Sequence, residues 1–163
     1  VPDYMTNVPV GAQYGWPWYY WKDRLDDRVE HPMPDFLGEY VRKPEFALGA
    51  HTASLGLAAA SGNALPEAMR RGMFIGQHGS WNRKPLSGYK VIFVPFANGK
   101  PSGESVDVLT GFIDAKKEIA YGRPVGVAVA SDGSLLVADD VGNTIWRVSK
   151  SSSSQLNGVA SLK

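Results

Sequence analysis

The sequence contains no cysteine, which excludes disulfide frameworks, thiolate zinc sites and cysteine nucleophiles. An excess of charge of one sign is also lacking, because 17 Lys and Arg residues stand against 16 Asp and Glu residues, for a net charge of +1. Such a balance gives no field that would favour nucleic acid as a partner. No window approaches about 18 consecutive apolar residues, so no membrane span is expected.

Several patterns of catalytic chemistry are missing as well. No two of the histidines His31, His51 and His78 have the spacing of metal ligands on one element, so no metal site is expected. Gly76 and Gly79 are not followed by a predicted helix, so they do not form a phosphate-binding loop. No serine stands in a nucleophile elbow with a matching histidine and acid. The patterns therefore assign no catalytic residue.

What the chain does contain is the signal of short strands and turns. Its 163 residues, 44% of them hydrophobic and 20% charged, are typical of one globular domain. From Gly72 onwards the patterns are β, and "GMFIGQ", "YKVIFVPF" and "VDVLTGFI" are each predicted strands. The stretch "PVGVAVASDGSLLVADDVGNTIWRVS" then predicts a meander of three antiparallel strands, in which Trp146 is expected to be buried.

The preceding part of the chain is less regular. Residues 1–45 are rich in aromatic residues and proline and are predicted to be irregular. Two interpretations of "YGWPWYYWKD" stay open. The first is a packed aromatic plug or the lining of a groove, and the second is a binding surface for a flat ligand or sugar. "ASLGLAAAS" suits a short buried strand, although its alanines leave a helix open, and "LPEAMRR" predicts one helical turn. The expected organisation is a β-structured unit over 1–148 and a serine-rich, mobile tail over 149–163.

A weak internal repeat indicates how the strands are arranged. "MFIGQHG…GYKVIFVPF" and "LLVADDVGNTIWRV" share one layout, in which an apolar strand ends in polar residues, turns at a glycine and returns as an aromatic-bearing strand. Such units, at about 40–50 residues per blade, are typical of a β-propeller. The chain holds three to four blades' worth of residues, and closed propellers usually need at least four. We therefore expect a partial propeller that belongs to a larger one or closes by association of copies.

Four stretches closely resemble the carboxy-terminal part of the glucose/sorbosone dehydrogenase family, with the L-sorbosone dehydrogenases as the nearest group. They are "GAQYGWPWYYW", "LGAHTASLGL", "GQHGSWNRKPLSGYKVIFVPF" and "GRPVGVAVASDGSLLVADDVGNTIWRV". The resemblance implies a six-bladed propeller that uses pyrroloquinoline quinone (PQQ), with calcium, to oxidise a sugar in the periplasm or outside the cell. It also places the general-base histidine and the calcium loop in the amino-terminal half. We therefore expect this chain to be the last third to half of such an enzyme, without the catalytic base or the calcium site.

The resemblance also assigns part of a cofactor site. An arginine that faces the quinone carboxylates in the family matches Arg123, whereas a second family arginine falls on Val125, so the chain departs from the pattern there. A family lysine that contacts PQQ matches ambiguously, because the loop is longer here, and its candidates are His78, Arg83 and Lys84. Residues near the cofactor plane map onto 46–52, which brings in His51 and Thr52.

The stretch "GQHGSWNRKPLSG" contains the loop that joins the predicted strands "GMFIGQ" and "YKVIFVPF". The chemistry of this loop supports the assignment. A tight hairpin needs two to five residues, yet this loop has about ten and carries cationic and hydrogen-bonding groups that suit an anionic quinone. Asn82 is added to the cofactor contacts, and Gln77 and Trp81 to the substrate contacts. His78, Asn82, Arg83 and Arg123 are expected on one face of the β-structure.

Less specific readings of the same residues stay open. His78 could hydrogen-bond the loop backbone, Arg83 and Lys84 could be solvated cations, and Trp81 could pack the loop. Asp139 and Asp140 end a predicted strand, where capping of the corner through backbone N–H groups is preferred to catalysis.

Three functions follow from these observations. The first is the carboxy-terminal part of a PQQ-dependent sugar dehydrogenase, with a sugar substrate. The second is a propeller-type carbohydrate- or protein-binding module without chemistry. The third is a structural unit that self-associates, or joins the missing amino-terminal half, to cover its blade edges.

Overall fold

The computed structural model describes residues 1–114, 116 and 118–151, and within them the protein is all-β. The strands are β1 Pro2–Met5, β2 Tyr19–Trp21, β3 Arg24–Leu25, β4 Phe46–Ala50, β5 Ser54–Ala59, β6 Gly72–Gln77, β7 Lys90–Ala97, β8 Lys100–Pro101, β9 Val106–Leu109, β10 Ile113–Asp114, β11 Ile119–Ala120, β12 Pro124–Val129, β13 Leu135–Asp139 and β14 Thr144–Val148. Helical structure in these residues is confined to α1, Leu37–Tyr40, and a 3-10 turn, Glu67–Met69. Neither of these described segments is long and apolar enough to cross a lipid bilayer.

The strands form two larger sheets and three short pairs. β5, β6, β7 and β8 are neighbours in chain order, and β9 returns to pair with β7. β12, β13 and β14 form the antiparallel meander that the sequence predicts. The pairs are β1 with β4, β2 with β3 and β10 with β11. Stacked antiparallel sheets of this kind are consistent with the predicted propeller.

β6 and β7 form the central layer, because their two faces belong to two different hydrophobic cores. Phe74, Val91 and Phe93 pack with residues of β13 in one core. Ile75 and Ile92, which alternate with them along the strands, pack with β1 in the other core. Since successive side chains of a strand point to opposite faces, one pair of apolar strands links both cores. The near-continuous apolar runs in "MFIG" and "VIFVPF" follow from this burial on both sides.

Two glycines allow the second sheet to lie directly against the first. A Cβ at Gly56 in β5 would lie 2.1 Å from the carbonyl oxygen of Val125, and one at Gly76 in β6 would lie 2.6 Å from the same atom. Both distances are below van der Waals contact, so any side chain here would push β12 away. This close approach brings the start of β12 next to the end of β6.

Comparison with the expected elements shows where local patterns were sufficient. "ASLGLAAAS" contains strand β5, which settles the choice left open between strand and helix, but the strand is not buried as expected, because Leu55 and Leu57 are 61% and 54% exposed. "LPEAMRR" contains the expected turn of helix. "VDVLTGFI" divides into β9 and β10 rather than forming one strand. The segment over 1–45 contains strands β1 to β3 and helix α1 within its irregular course. Of the serine-rich tail, residues 152–163 lie outside the described residues.

The expectation that Trp146 is buried is wrong. The residue lies opposite Val137 in the register of β13 and β14, and Val137 is fully buried, so the indole begins on the core side of the sheet. However, β14 is the last strand of the meander. The ring therefore overhangs the core, packs edge-on against Phe112 with 6.0 Å between centroids and stays 42% exposed.

Candidate functional site

Three strand ends and one turn meet at a single edge of the molecule. β6 continues past Gln77, and the N–H groups of His78 and Gly79 donate to the carbonyls of Ala53 and Thr52 at 2.9 and 2.8 Å. This contact places the β4–β5 turn beside the end of β6. We call the residues at this edge the strand-end cluster; its members are His51–Ser54, Gln77–Ser80, Arg123 and Asp139–Asp140.

Arg123 holds the cluster together. Its Nε donates to the carbonyl of His78 at 3.0 Å, and its Nη2 donates to the carbonyls of Gly79 at 2.7 Å and Ser80 at 3.2 Å. The guanidinium also lies over the ring of Tyr89, 5.1 Å from the centroid. Since a planar guanidinium presents several donors in a fixed fork, one side chain immediately before β12 fixes three successive peptides after β6.

Asp139 fixes the opposite corner of the cluster. Its buried carboxylate accepts the N–H groups of Arg123 and Gly142, both at 2.8 Å, and the indole N–H of Trp146 at 3.3 Å. Burial by itself would raise the pKa of Asp139, but these hydrogen bonds outweigh it and leave the pKa below its usual value. The preferred reading of Asp139 as a corner cap is confirmed.

Asp140, the next residue, turns to the other side of the strand and pairs with His78. Nε2 of His78 lies 3.1 Å from both carboxylate oxygens, with 20% of the histidine side chain and 55% of the aspartate side chain exposed. His78 thus has a carboxylate partner for its ring, in addition to the backbone contacts that were considered. Its contact with Arg123 confirms that these two residues share one face.

The loop after Ser80 covers one side of the cluster. Arg83 donates to the carbonyl of Ala50 at 2.5 Å, and the hydroxyl of Ser87 donates to the same oxygen at 2.9 Å, so the loop is tied to the end of β4. Lys84 forms an ion pair with Glu118 at 2.7 Å, and this hydrogen bond holds the pKa of the ammonium above its usual value. Asn82 is exposed, and the indole of Trp81 is 84% exposed, so Trp81 does not act as a packing residue of the loop.

The remaining predicted site residues divide between surface and interior. His51 is exposed on the β4–β5 turn. Gln77 is only 1% exposed and donates to the carbonyl of Leu48 at 2.9 Å, while buried Thr52 donates to Asp3 at 2.7 Å. The structure therefore places the side chains of Gln77 and Thr52 on the interior side of the cluster, where they support its backbone.

The electrostatic character of this edge is mixed. Five side chains bring cationic or imidazole groups to it, namely His51, His78, Arg83, Lys84 and Arg123, and the carboxylates there are those of Asp3, Glu118, Asp139 and Asp140. Within the described residues, no group of three or more His, Asp or Glu side chains is placed to hold a metal ion. Groups of this kind can form hydrogen bonds with anions and with hydroxyl groups.

Sequence reasoning did not find the His78–Asp140 pair. The two residues are 62 positions apart, and their strands meet only because β12 and β13 pack onto β6. One signal was available, because alternation in "LLVADD" sends Asp139 and Asp140 to opposite faces. One aspartate could therefore cap the corner while the other faced a ligand.

Comparisons with known proteins agree on one family. A family model described as TrAA12-like matches residues 35–151. A protein of Borreliella burgdorferi with no described function is 38% identical over 104 residues, which are 63% of this chain and 27% of that protein. The pyrroloquinoline quinone-dependent pyranose dehydrogenase of Coprinopsis cinerea is 30% identical over 127 residues, covering 68% of this chain and 17% of that enzyme.

Solved structures give the same result. The holo form of the PQQ domain of the Coprinopsis cinerea pyranose dehydrogenase superposes with a TM-score of 0.55 at 28% identity, over 71% of this chain and 31% of that one. A Trichoderma reesei carbohydrate-active enzyme of family AA12 superposes with a TM-score of 0.64 over 83% of this chain and 38% of that one. At 21% sequence identity, this superposition shows a common fold. The chain thus spans between 17% and 38% of the length of these relatives and structures.

Proposed function

The chain belongs to the TrAA12-like family, which is of the PQQ sugar dehydrogenase type, and we propose that it supplies part of the cofactor and sugar site of a PQQ-dependent sugar dehydrogenase. The observation that carries the proposal is the set of five nitrogen-bearing side chains brought to one strand-end edge. Because the chain spans 17% of the Coprinopsis cinerea enzyme, the activity of the whole protein is part of the proposal.

The donor set of the edge fits PQQ. The cofactor is a flat tricarboxylate, and carboxylates are held by arginine, lysine and histidine donors. Arg83 and Lys84 stand on the loop, and among the described residues one hydrogen bond is found for the Arg83 guanidinium, to Ala50. Further N–H groups of that guanidinium are therefore free to meet a carboxylate. When bound, PQQ supplies the two-electron oxidant for the sugar.

Other residues of the chain orient the site. Since Asp140 accepts from Nε2 of His78, that nitrogen carries the ring proton, and Nδ1 of a neutral ring is left as an acceptor. Arg123 adds positive charge and fixes the peptides of His78–Ser80. Arg123, His78, Arg83, Lys84, His51 and Asn82 are thus proposed as cofactor contacts, with Thr52 as support from the interior.

The sugar is proposed to approach beside the loop. The exposed indole of Trp81 offers an apolar face for the ring hydrogens of a sugar. Gln77, buried against Leu48, holds the backbone from which the loop starts rather than presenting its amide at the surface. A sorbosone or an aldose are the proposed substrates.

The rest of the enzyme is part of the same proposal. The chain provides three to four blades of a six-bladed propeller, and an amino-terminal half, or a second copy, closes it. The general base and calcium belong to that other part, and the location is periplasmic or secreted. Size-exclusion chromatography with light scattering distinguishes a self-associating chain from a monomer.

PQQ binding tests the proposal directly. Arg83→Gln with Lys84→Gln should weaken PQQ affinity by about 2–5 kcal/mol, because paired carboxylate contacts are lost. Arg42→Gln with Lys43→Gln is a matched control, since Lys43 has an exposed acidic partner at 2.8 Å just as Lys84 has one at 2.7 Å. Affinity is measured by calorimetric titration of PQQ, and melting of the apo protein is recorded for each variant.

The outcomes separate the candidate functions. If the loop variant binds PQQ as well as the control but melts earlier, the loop is structural and this site assignment is wrong. If neither the chain nor a longer parent protein binds PQQ while sugar still binds, the non-catalytic carbohydrate-binding module replaces the dehydrogenase. Dye reduction by the longer parent protein with PQQ, calcium and aldoses then tests the reaction itself.

A further inference from the structure

An aromatic cavity lies in the amino-terminal segment, apart from the strand-end cluster. It has a volume of about 360 Å3, within the range of small-molecule sites. Six rings line it: Tyr4, Tyr14, Trp16, Tyr19, Tyr20 and Trp21. No lining residue belongs to the strand-end cluster, and all but Pro44 precede residue 35, where the family match begins.

The rings form walls around a space rather than a solid plug. The centroid of Tyr4 lies 6.2 Å from that of Tyr14 and 6.0 Å from that of Trp21, with interplanar angles of 34° and 44°. Rings tilted in this way are not stacked face to face on one another. Trp16, at the rim, is 79% exposed. The aromatic stretch therefore lines a groove, as the first of the two readings allows, and leaves space for a ligand against the rings.

Two charged residues add polar groups to the aromatic wall. Arg28 donates from Nε and Nη2 to the two carboxylate oxygens of Asp26, at 2.7 and 2.5 Å. The Asp26 side chain is only 13% exposed, whereas that of Arg28 is 79% exposed. The hydrogen bond from Arg28 keeps the pKa of Asp26 below its usual value, so the cavity contains a fixed acceptor next to a fixed donor.

This combination of groups identifies the chemical class of ligand. A pyranose has apolar C–H faces that pack on aromatic rings and neighbouring hydroxyls that bond to a carboxylate and a guanidinium. A cationic ligand is disfavoured, because Arg28 already neutralises Asp26 and the ammonium of Lys22 lies 5.4 Å from the Trp21 ring centroid. We propose that this aromatic cavity is a second carbohydrate site that binds a pyranose unit without any cofactor.

The cavity wall and the strand-end cluster are joined by one strand. Tyr4 and Asp3 are neighbours in β1; Tyr4 lines the cavity, and Asp3 accepts the hydroxyl of Thr52 at 2.7 Å. A saccharide bound here is therefore held by the strand that also supports the cluster. The site serves to retain a longer carbohydrate on the protein.

Titration of the 163-residue chain with methyl β-D-glucopyranoside and with cellotetraose tests this proposal, in the absence of PQQ. Binding is followed by calorimetry and by tryptophan fluorescence. Trp16→Ala removes an exposed ring, and Asp26→Asn removes the acceptor charge; each should raise Kd at least about fivefold. Phe36→Ala is the control, because this ring is 63% exposed but does not line the cavity. Its Kd should stay within about twofold of the wild type.

Each other outcome overturns the proposal. If neither saccharide shows saturable binding, the cavity is not a carbohydrate site. Equal affinity in all variants places the sugar elsewhere on the chain. Saturation by tetramethylammonium but not by sugar assigns the cavity to cations. If Trp16→Ala does not fold, Asp26→Asn decides.

PQQ binding is measured separately on the same samples. Loss of cofactor binding with intact sugar binding would refute the proposed function and leave this site standing. The converse result would refute the carbohydrate site alone.

Discussion

Replacing Arg123 by methionine removes the guanidinium while keeping an unbranched apolar stem, and we expect a large loss of stability. Three hydrogen bonds from the charged group to the carbonyls of His78, Gly79 and Ser80 disappear, together with its contact with the Tyr89 ring. Hydrogen bonds to charged groups contribute about 1.5–3 kcal/mol each. They are not additive when one side chain makes all of them, so we expect a cost of about 2–4 kcal/mol.

Urea unfolding measures this cost. For a denaturant slope of about 1–3 kcal/mol/M, a loss of about 3 kcal/mol moves the midpoint down by about 1–3 M. Arg123→Lys is the informative second variant, because it keeps the charge but lacks the planar fork that reaches several carbonyls at once. Its midpoint should lie between those of the wild type and the methionine variant. A methionine variant within about 1 kcal/mol of the wild type, or full recovery by lysine, would refute the role of Arg123 as the clamp of this edge.

Three further changes test other parts of the structure. Trp146→Ala should cost about 1–2 kcal/mol in urea unfolding rather than the 3–5 of a fully buried ring, because the indole is 42% exposed; a larger cost would mean that the ring is covered. Asp139→Asn should make the free energy of unfolding depend less on pH in the acid range. Because the folded pKa of Asp139 is lowered, the wild-type carboxylate stabilises the fold above about pH 4 and loses that contribution as pH falls. If the free energy of unfolding changes between pH 7 and pH 3 by the same amount in the variant as in the wild type, Asp139 is not the cap. Gly76→Ala should destabilise by about 2 kcal/mol or more, since its Cβ would lie 2.6 Å from the Val125 oxygen, whereas Gly126→Ala, with its nearest atom at 3.9 Å, should not; equal melting of the two variants would contradict the close approach.

Local patterns were sufficient for the strands that form the centre of the fold. The apolar runs around Phe74 and Phe93 and the alternating pattern of 124–148 predicted β6, β7 and the meander, because burial dictates both periodicities. β1 was not predicted. Its partner β4 is more than forty residues further along the chain, as in the pairing of Met5 with Phe46. Pairing over such a separation leaves no local signal.

The candidate site, like the fold, was predicted from the sequence only in part. The polar loop was singled out by its residue types and Arg123 by the family resemblance, and the structure brings Arg123 to His78. Which groups each side chain meets depended on packing between sheets. The pairing of His78 with Asp140 and the burial of Gln77 follow from how β12 and β13 lie on β6 and β5. No spacing within one segment encodes those contacts.

The double burial of β6 and β7 has a consequence for the motion of the protein. Amide hydrogens in a layer covered on both faces and hydrogen-bonded to strands on both sides exchange with solvent only when the whole chain opens. We therefore expect Phe74 and Phe93 to lie in its slowest-exchanging segment. The loop between Ser80 and Tyr89 connects β6 to β7, so both of its ends are attached to this slowly exchanging layer. We therefore also expect the part of the strand-end cluster that continues β6, Gln77–Ser80, to keep its shape for as long as the chain stays folded.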